Sequence, residues 1–429
     1  MIDTIRSVII LGSSGTIGSL TGGLIAQKGI KVYFLSRAPE RAKSGLERAI
    51  AQARSEVISH NIVWGDYKHL LENALEEADW IVECVSENLA IKQRMYEKID
   101  RYKRPDAIVS STTSSLPLTE LPRGRSEGFR RNFLSTHFYN PPARMLACEI
   151  ATQDDTDPEV FDFMKDFLEH ELRRVVIPVK NILGFAGNRI AFLLFNRITA
   201  LAEEHGVEMM DYLIGPYTGR LMPPLATLDL VGLDIHKAII ENLYENTNDE
   251  MHESLILPDY INKMIDNGSL GNKAPTKGGF YRKLESGKCV FLDPTNCDYV
   301  PAIEPRVAFV EKAKHQIHLG MYREALETIK TAHCKEADIV MDILCTYVAY
   351  SYARIGEVTE RELSIDGIDN VMSFGFNWAA PSLIVNMLGG KECVVELLEE
   401  KGFKVPDALK NANESAHQIS NVGKYFVGR

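Results

Sequence analysis

Through the first 180 residues, short apolar runs alternate with longer amphipathic segments, the rhythm of a parallel sheet wrapped by helices. Ser7-Val8-Ile9-Ile10-Leu11 runs into a glycine cluster, Gly12-Ser13-Ser14-Gly15-Thr16-Ile17-Gly18, and a helix-like stretch follows over 20–27. Lys31-Val32-Tyr33-Phe34-Leu35 reads as a second strand, and residues 39–59 as a long helix. Further strands are predicted over 80–85, 107–110, 131–138, 146–150 and 175–179, with a helix over 89–102. Past this point the alternation becomes rare. Helices are predicted over 190–204, 234–246 and 258–266, then a loop-rich connection with Gly287, Pro294, Pro301 and Pro305, and a helix over 306–319.

Strand, glycine turn, helix and strand within 35 residues is the opening of a dinucleotide-binding fold. Glycines permit a sharp turn and close backbone approach, and the helix N-terminus faces a pyrophosphate. The candidate contacts are Gly12, Ser14, Gly15, Thr16, Ile17 and Gly18. The glycines fall at relative positions one, four and seven rather than one, three and six, as if one residue had been added at Ser13 or Ser14. The second strand should end in an acid that receives the ribose hydroxyls of NAD, but Ser36 and Arg37 stand there. A hydroxyl beside a guanidinium suits a 2′-phosphate better, which leans toward NADP. The cofactor expected is therefore NAD or NADP.

In such a sheet the ligand lies beyond the C-terminal strand ends, where Glu83 and the hydroxyl-rich turn 111–117 fall. Their bland reading is local capping. His137 and Glu149 lie at neighbouring strand ends across a short loop, so a carboxylate can fix the imidazole tautomer while the other ring nitrogen meets a substrate. Spacing alone accommodates a structural histidine equally well.

These segments resemble the L-3-hydroxyacyl-CoA dehydrogenases. The matching runs are Ile81-Val82-Glu83 with Glu87-Asn88-Leu89, residues 110–116, 137–141 and 145–149, Gly184-Phe185 with Asn188-Arg189, Asp229-Leu230-Val231-Gly232-Leu233-Asp234, and Gly278-Gly279-Phe280-Tyr281. They follow the family's order across 5–283. The resemblance implies an α/β Rossmann-type domain followed by all-helical, 6-phosphogluconate-dehydrogenase-like C-terminal domains. It implies hydride exchange between a nicotinamide cofactor and the C3 hydroxyl of an acyl-CoA thioester. By motif, the family's active-site serine, histidine, glutamate and asparagine match Ser114, His137, Glu149 and Asn188, while Glu83, Glu87 and Thr112 join the cofactor side. Thr112 replaces a family asparagine near the nicotinamide. Asn181 and Ile182 stand where the family has an acid and a threonine, and Leu183 where it has a proline. Pro223 stands in the family's Met-Gly-Pro. These departures surround the four residues without touching them. Within the enzyme class, a dehydrogenase of another 3-hydroxy acid or carrier-bound acyl group is the alternative; outside it, a non-catalytic nucleotide- or CoA-binding protein.

The family pattern accounts for a cofactor domain over 1–180 and a helical domain over 181–283. After a connector at 284–333, residues 334–429 look like a second, diverged copy of the helical domain. Residues 338–357 parallel 188–207 at an offset of 150, with Gly356 matching Gly206. Asp338 stands where the first copy has Asn188, so a second active centre is not expected. The copy is expected to replace a dimer partner inside one chain, with a homodimer as the alternative.

Composition adds exclusions. The 59 acidic against 48 basic residues, a net charge of −11, disfavour a nucleic-acid or anionic-membrane surface. Seven sparse cysteines form no disulfide framework, and Cys289 and Cys297 have poor zinc spacing, so no metal is expected. The opening residues lack the layout of a secretion signal and no apolar run reaches 18 residues, which makes a cytoplasmic enzyme the expectation.

Overall fold

A computed structural model describes residues 4–360, 364–412 and 422–428. By internal contacts the chain forms two units, one of residues 1–185 with 374–376, the other of 186–373 with 377–429.

The first unit carries an eight-stranded sheet: β1 (Ser7–Leu11), β2 (Lys31–Ser36), β3 (Ile62–Asp66), β4 (Trp80–Glu83), β5 (Ile108–Ser111), β6 (Phe133–Phe138), β7 (Ala147–Thr152) and β8 (Val175–Pro178). Their order is β3-β2-β1-β4-β5-β6-β7-β8, parallel except for the antiparallel β6–β7 pair. β1 is buried throughout, as its unbroken apolar run requires. Six helices accompany the sheet: α1 (Thr16–Ala26), α2 (Pro39–Ala53), α3 (Tyr67–Glu77), α4 (Leu89–Tyr102), α5 (Glu127–Arg131) and α6 (Pro158–Asp166). Chain order reverses at β1, between β2 and β4, which opens a ligand crevice beyond the C-terminal ends of β1 and β4.

Two local readings of the sequence change. The helix predicted over 39–59 stops at Ala53, because Arg54 turns left-handed with φ 52° and a short 3-10 turn follows, capped by Ser55. Strand β3 escapes the periodicity because it lies at the sheet edge, with Val63 and Trp64 exposed and Gly65 interrupting the pattern.

The second unit begins with α7 (Gly187–His205), α8 (Val207–Leu213), α9 (Pro224–Val231), α10 (Leu233–Asn246) and α11 (Asp259–Asp266). The stretch expected to be loop-rich holds most of a small antiparallel sheet, β9 (Tyr281–Lys283), β10 (Cys289–Asp293) and β11 (Asp298–Pro301); the helix expected over 306–319 follows as α12 (Ala308–His318), with a further helix, α13 (Tyr322–Lys330). Its strands have three to five residues and turns between them, too short for alternation to declare itself. Then come α14 (Lys335–Ala353), α15 (Asp366–Gly375), α16 (Pro381–Met387), α17 (Lys391–Glu400) and α18 (Asp407–Lys410).

Helices α7 and α14 have 19 residues each and pack antiparallel. Arg189 meets Tyr350, Arg197 meets Asp342, and Glu204 meets Lys335, one step advancing as the other retreats. The helices after them share local devices. Pro224 and Pro381 each open a helix. A buried aspartate of the preceding helix accepts from the backbone just inside: Asp211 from Leu225 and Ala226, Asp369 from Ser382. Gly206 and Gly356 both have φ 83°, and Arg220 bridges Trp378 in a single antiparallel contact.

Candidate active site

The turn after β1 is shaped by what it excludes. Gly12 has φ 82°, and a Cβ there would sit 2.4 Å from the carbonyl oxygen of Cys84. Its N–H reaches both the Leu35 carbonyl and the Tyr67 hydroxyl oxygen, at 3.0 and 2.9 Å. Burial pushes the Tyr67 phenol up to about 12, so it stays neutral. The additional residue is absorbed against β2 and α2. Ser13 bonds the Leu35 carbonyl, Ser14 Oγ receives the Ser36 hydroxyl at 3.1 Å, and the Ser14 carbonyl receives Arg48 at 2.9 Å. Gly15 precedes α1 with no side-chain cap on the helix and no acid in its first turn. Gly15 and Thr16 are exposed and Ile17 half-buried, whereas Gly18 is buried against β1. An uncapped helix start behind a turn too tight for side chains fits a dinucleotide pyrophosphate. Ser36 is buried in its bond to Ser14, and Arg37 is exposed.

At the ends of β4 and β5 the polar groups divide into inward and outward sets. Glu83 is wholly buried and receives Lys92 at 2.8 Å, Tyr96 at 2.6 Å, Ser111 at 2.8 Å and the Val85 N–H at 2.7 Å. Expected beside the cofactor, it is instead an internal anchor for α4 and β5, because those four donors take up its carboxylate. Glu87 is partly exposed and receives Thr113, Ser115 and Lys92. Burial opposes its ionisation, but Lys92 and the two hydroxyls outweigh this and hold its carboxyl below the usual value. Thr112 bonds the Glu83 carbonyl through both its N–H and its hydroxyl. Ser114 is half-buried, and its carbonyl receives the Gly184 N–H at 2.7 Å. Asn181, where the family has an acid, receives the Leu118 N–H at 3.3 Å and so ties the same loop down.

His137 and Glu149 face each other in the β6–β7 ladder, with Nδ1 2.8 Å from Oε2. The direct opposition follows from antiparallel register, which sets both side chains on one face. Glu149 is buried and His137 half-buried. Two rings flank the imidazole, Tyr139 at 4.9 Å and Phe185 at 5.9 Å between centroids. Among the described residues Nδ1 is the ring nitrogen that hydrogen-bonds, and Nε2 makes no hydrogen bond. The Tyr139 hydroxyl also donates to Glu149 Oε2, at 2.6 Å. Asn188 is buried in the first turn of α7, in the second unit.

Sequence reasoning missed Tyr67, Lys92, Tyr96 and Tyr139. Only Tyr139 carried a signal, a hydroxyl two residues from His137 at the end of a buried strand.

Residues 7–182 match the family model for the 3-hydroxyacyl-CoA dehydrogenase NAD binding domain, and residues 184–283 match its C-terminal domain. The chain is similar to a probable 3-hydroxyacyl-CoA dehydrogenase of Deinococcus radiodurans, 32% identical over 68% of this chain and 87% of that protein. The chain belongs to the 3-hydroxyacyl-CoA dehydrogenase family. Its NAD-binding unit is the one that holds the turn and the His137–Glu149 pair. A probable 3-hydroxyacyl-CoA dehydrogenase of Bacillus subtilis is 29% identical over 99% of this chain, but this chain spans only 56% of that relative's length. The solved structure of 3-hydroxybutyryl-CoA dehydrogenase from Escherichia coli K12 has the same fold, with a TM-score of 0.68 over 95% of this chain and 98% of that one, at 17% identity.

Proposed function

We propose that this dehydrogenase reversibly oxidises the C3 hydroxyl of an L-3-hydroxyacyl-CoA, with NAD bound at the 12–18 turn. The observation that carries the reading is the His137–Glu149 pair, with one imidazole nitrogen committed to a carboxylate and the other free for a hydroxyl. Glu149 holds the neutral ring with its proton on Nδ1, so Nε2 accepts the proton of the C3 hydroxyl. The same carboxylate then stabilises the imidazolium, which returns the proton in the reductive direction. NAD held by the 12–18 turn and the start of α1 would supply the hydride acceptor for C3 in oxidation, and NADH the donor in reduction. Phe185 and Tyr139 shield the ring from water and strengthen its pairing with Glu149. Ser114 serves the substrate oxygen from the loop after β5, and Asn188 completes the set by its place in the family pattern. The test is cofactor absorbance with acetoacetyl-CoA and a longer 3-ketoacyl-CoA, each with NADH and NADPH. Turnover of free 3-hydroxy acids without turnover of the thioesters would overturn the substrate class.

We also propose that the segment 334–429 is a second copy of the C-terminal domain that stands in for a partner subunit. The equal lengths and antiparallel packing of α7 and α14 support it, as do the matched Asp211 and Asp369 devices. Seven free cysteines suit work in a reducing compartment such as the cytoplasm. Among the described residues no helix is long and apolar enough to cross a membrane.

A further inference from the structure

Glu149 Oε2 faces two groups at once, His137 Nδ1 at 2.8 Å and the Tyr139 hydroxyl at 2.6 Å. Tyr139 and Glu149 are both buried. Burial first, then the neighbouring carboxylate, pushes the Tyr139 phenol well above its usual range, so it remains a hydrogen-bond donor. Its ring is held by a segment more than 200 residues away in sequence. Phe376 meets it edge-on at 5.3 Å, and a Cβ on Gly375 would come within 3.1 Å of it. Burial raises the Cys148 thiol and keeps it neutral, Arg174 donates to the carbonyls of Leu172, Pro142 and Met145, and Glu87 is taken up by Thr113, Ser115 and Lys92.

We infer that Tyr139 is a positioning residue that fixes the Glu149 carboxylate, disperses part of its charge and so sets the proton affinity of His137. The inference rests on the reading of His137 as the acid–base group. A carboxylate favours the imidazolium beside it, and a donor on the same oxygen weakens that preference. Removing the hydroxyl while keeping the ring therefore concentrates charge on the side facing Nδ1.

The test is an NMR titration of His137, its signal assigned by loss in His137→Gln, alongside the pH profile of kcat/KM for acetoacetyl-CoA reduction. Tyr139→Phe is expected to raise the His137 pKa by about half to one pH unit. The alkaline limb of the reductive profile should move up with it, and the KM for NADH should stay unchanged. In a Glu149→Gln background the same substitution should move nothing. An unmoved titration, or an equal shift without the Glu149 carboxylate, overturns the inference. If Tyr139→Phe does not fold, Phe376→Leu takes its place, since it loosens the ring yet leaves the hydroxyl. An upward His137 shift supports the inference and no shift overturns it. A parent protein that shows the titration response but does not reduce acetoacetyl-CoA would sink the proposed reaction while leaving the positioning role intact.

Discussion

His137 and Glu149 are opposite residues of one antiparallel ladder, and their side chains close to 2.8 Å between Nδ1 and Oε2. On the proposed reaction, the proton transfer falls to the ring nitrogen that does not face Glu149. His137→Ala is therefore expected to lower kcat by roughly a hundred- to ten-thousandfold while leaving NADH binding essentially unchanged. Steady-state kinetics with acetoacetyl-CoA and fluorescence titration of NADH check the two halves separately. Comparable turnover in the mutant would remove His137 from the chemistry.

Glu83 and Lys92 form an ion pair in which both side chains are buried. Deleting one partner strands the other charge in the interior, at a cost of about 3–5 kcal/mol. Lys92→Met should lower the midpoint of urea unfolding accordingly. Replacing Glu83 and Lys92 together by apolar residues should cost less than Lys92→Met alone. A Lys92→Met protein as stable as the parent would show that the pair has little weight.

Burial pushes Asp211 and Asp369 up to about 7, against backbone and hydroxyl donors that pull the other way. An unfolded chain ionises these groups near pH 4, whereas the folded one holds their protons until about pH 7. The folded state thus binds more protons across this window, and the contribution of both groups to stability falls as pH rises through it. Asp369→Asn keeps a neutral acceptor there, so its penalty should be larger at pH 5 than at pH 8. Urea melts at the two pH values decide, and a penalty that grows with pH would contradict the assignment.

Ser36 is occupied by Ser14, so Arg37 is the group at the end of β2 left to meet a 2′-phosphate. NADH should support turnover in the parent. Arg37→Ala should raise the KM for NADPH several-fold and leave that for NADH nearly unchanged. Equal effects on both cofactors would assign Arg37 to general electrostatics.

Arg189 is buried on α7 and donates to Tyr350 of α14 at 2.7 Å and to Asp249 at 2.7 Å, while Arg354 of α14's C-cap donates to the same Asp249 oxygen. With this surface already covered within the chain, the protein should be monomeric. Light scattering should return a mass near 48.1 kDa. A dimer at micromolar concentration would overturn the internal stand-in for a partner.

Seven of the eight strands in the first 180 residues, and the glycine turn, were legible because a strand buried on both faces must be apolar and because a turn as close as Gly12 to Cys84 tolerates no side chain. Local chemistry of this kind is written residue by residue. The edge strand β3 and the short sheet β9–β11 were not legible, since half-exposed strands of three to five residues carry too little pattern. For the site, sequence pointed to the His137–Glu149 pair through neighbouring strand ends, but could not distinguish a catalytic histidine from a structural one. Only tertiary structure decided that Glu83 turns inward, that Nδ1 is the ring nitrogen facing Glu149, and that Tyr139 shares the Glu149 oxygen. Each of those depends on which groups from distant segments meet in space, and a linear pattern holds no record of such meetings.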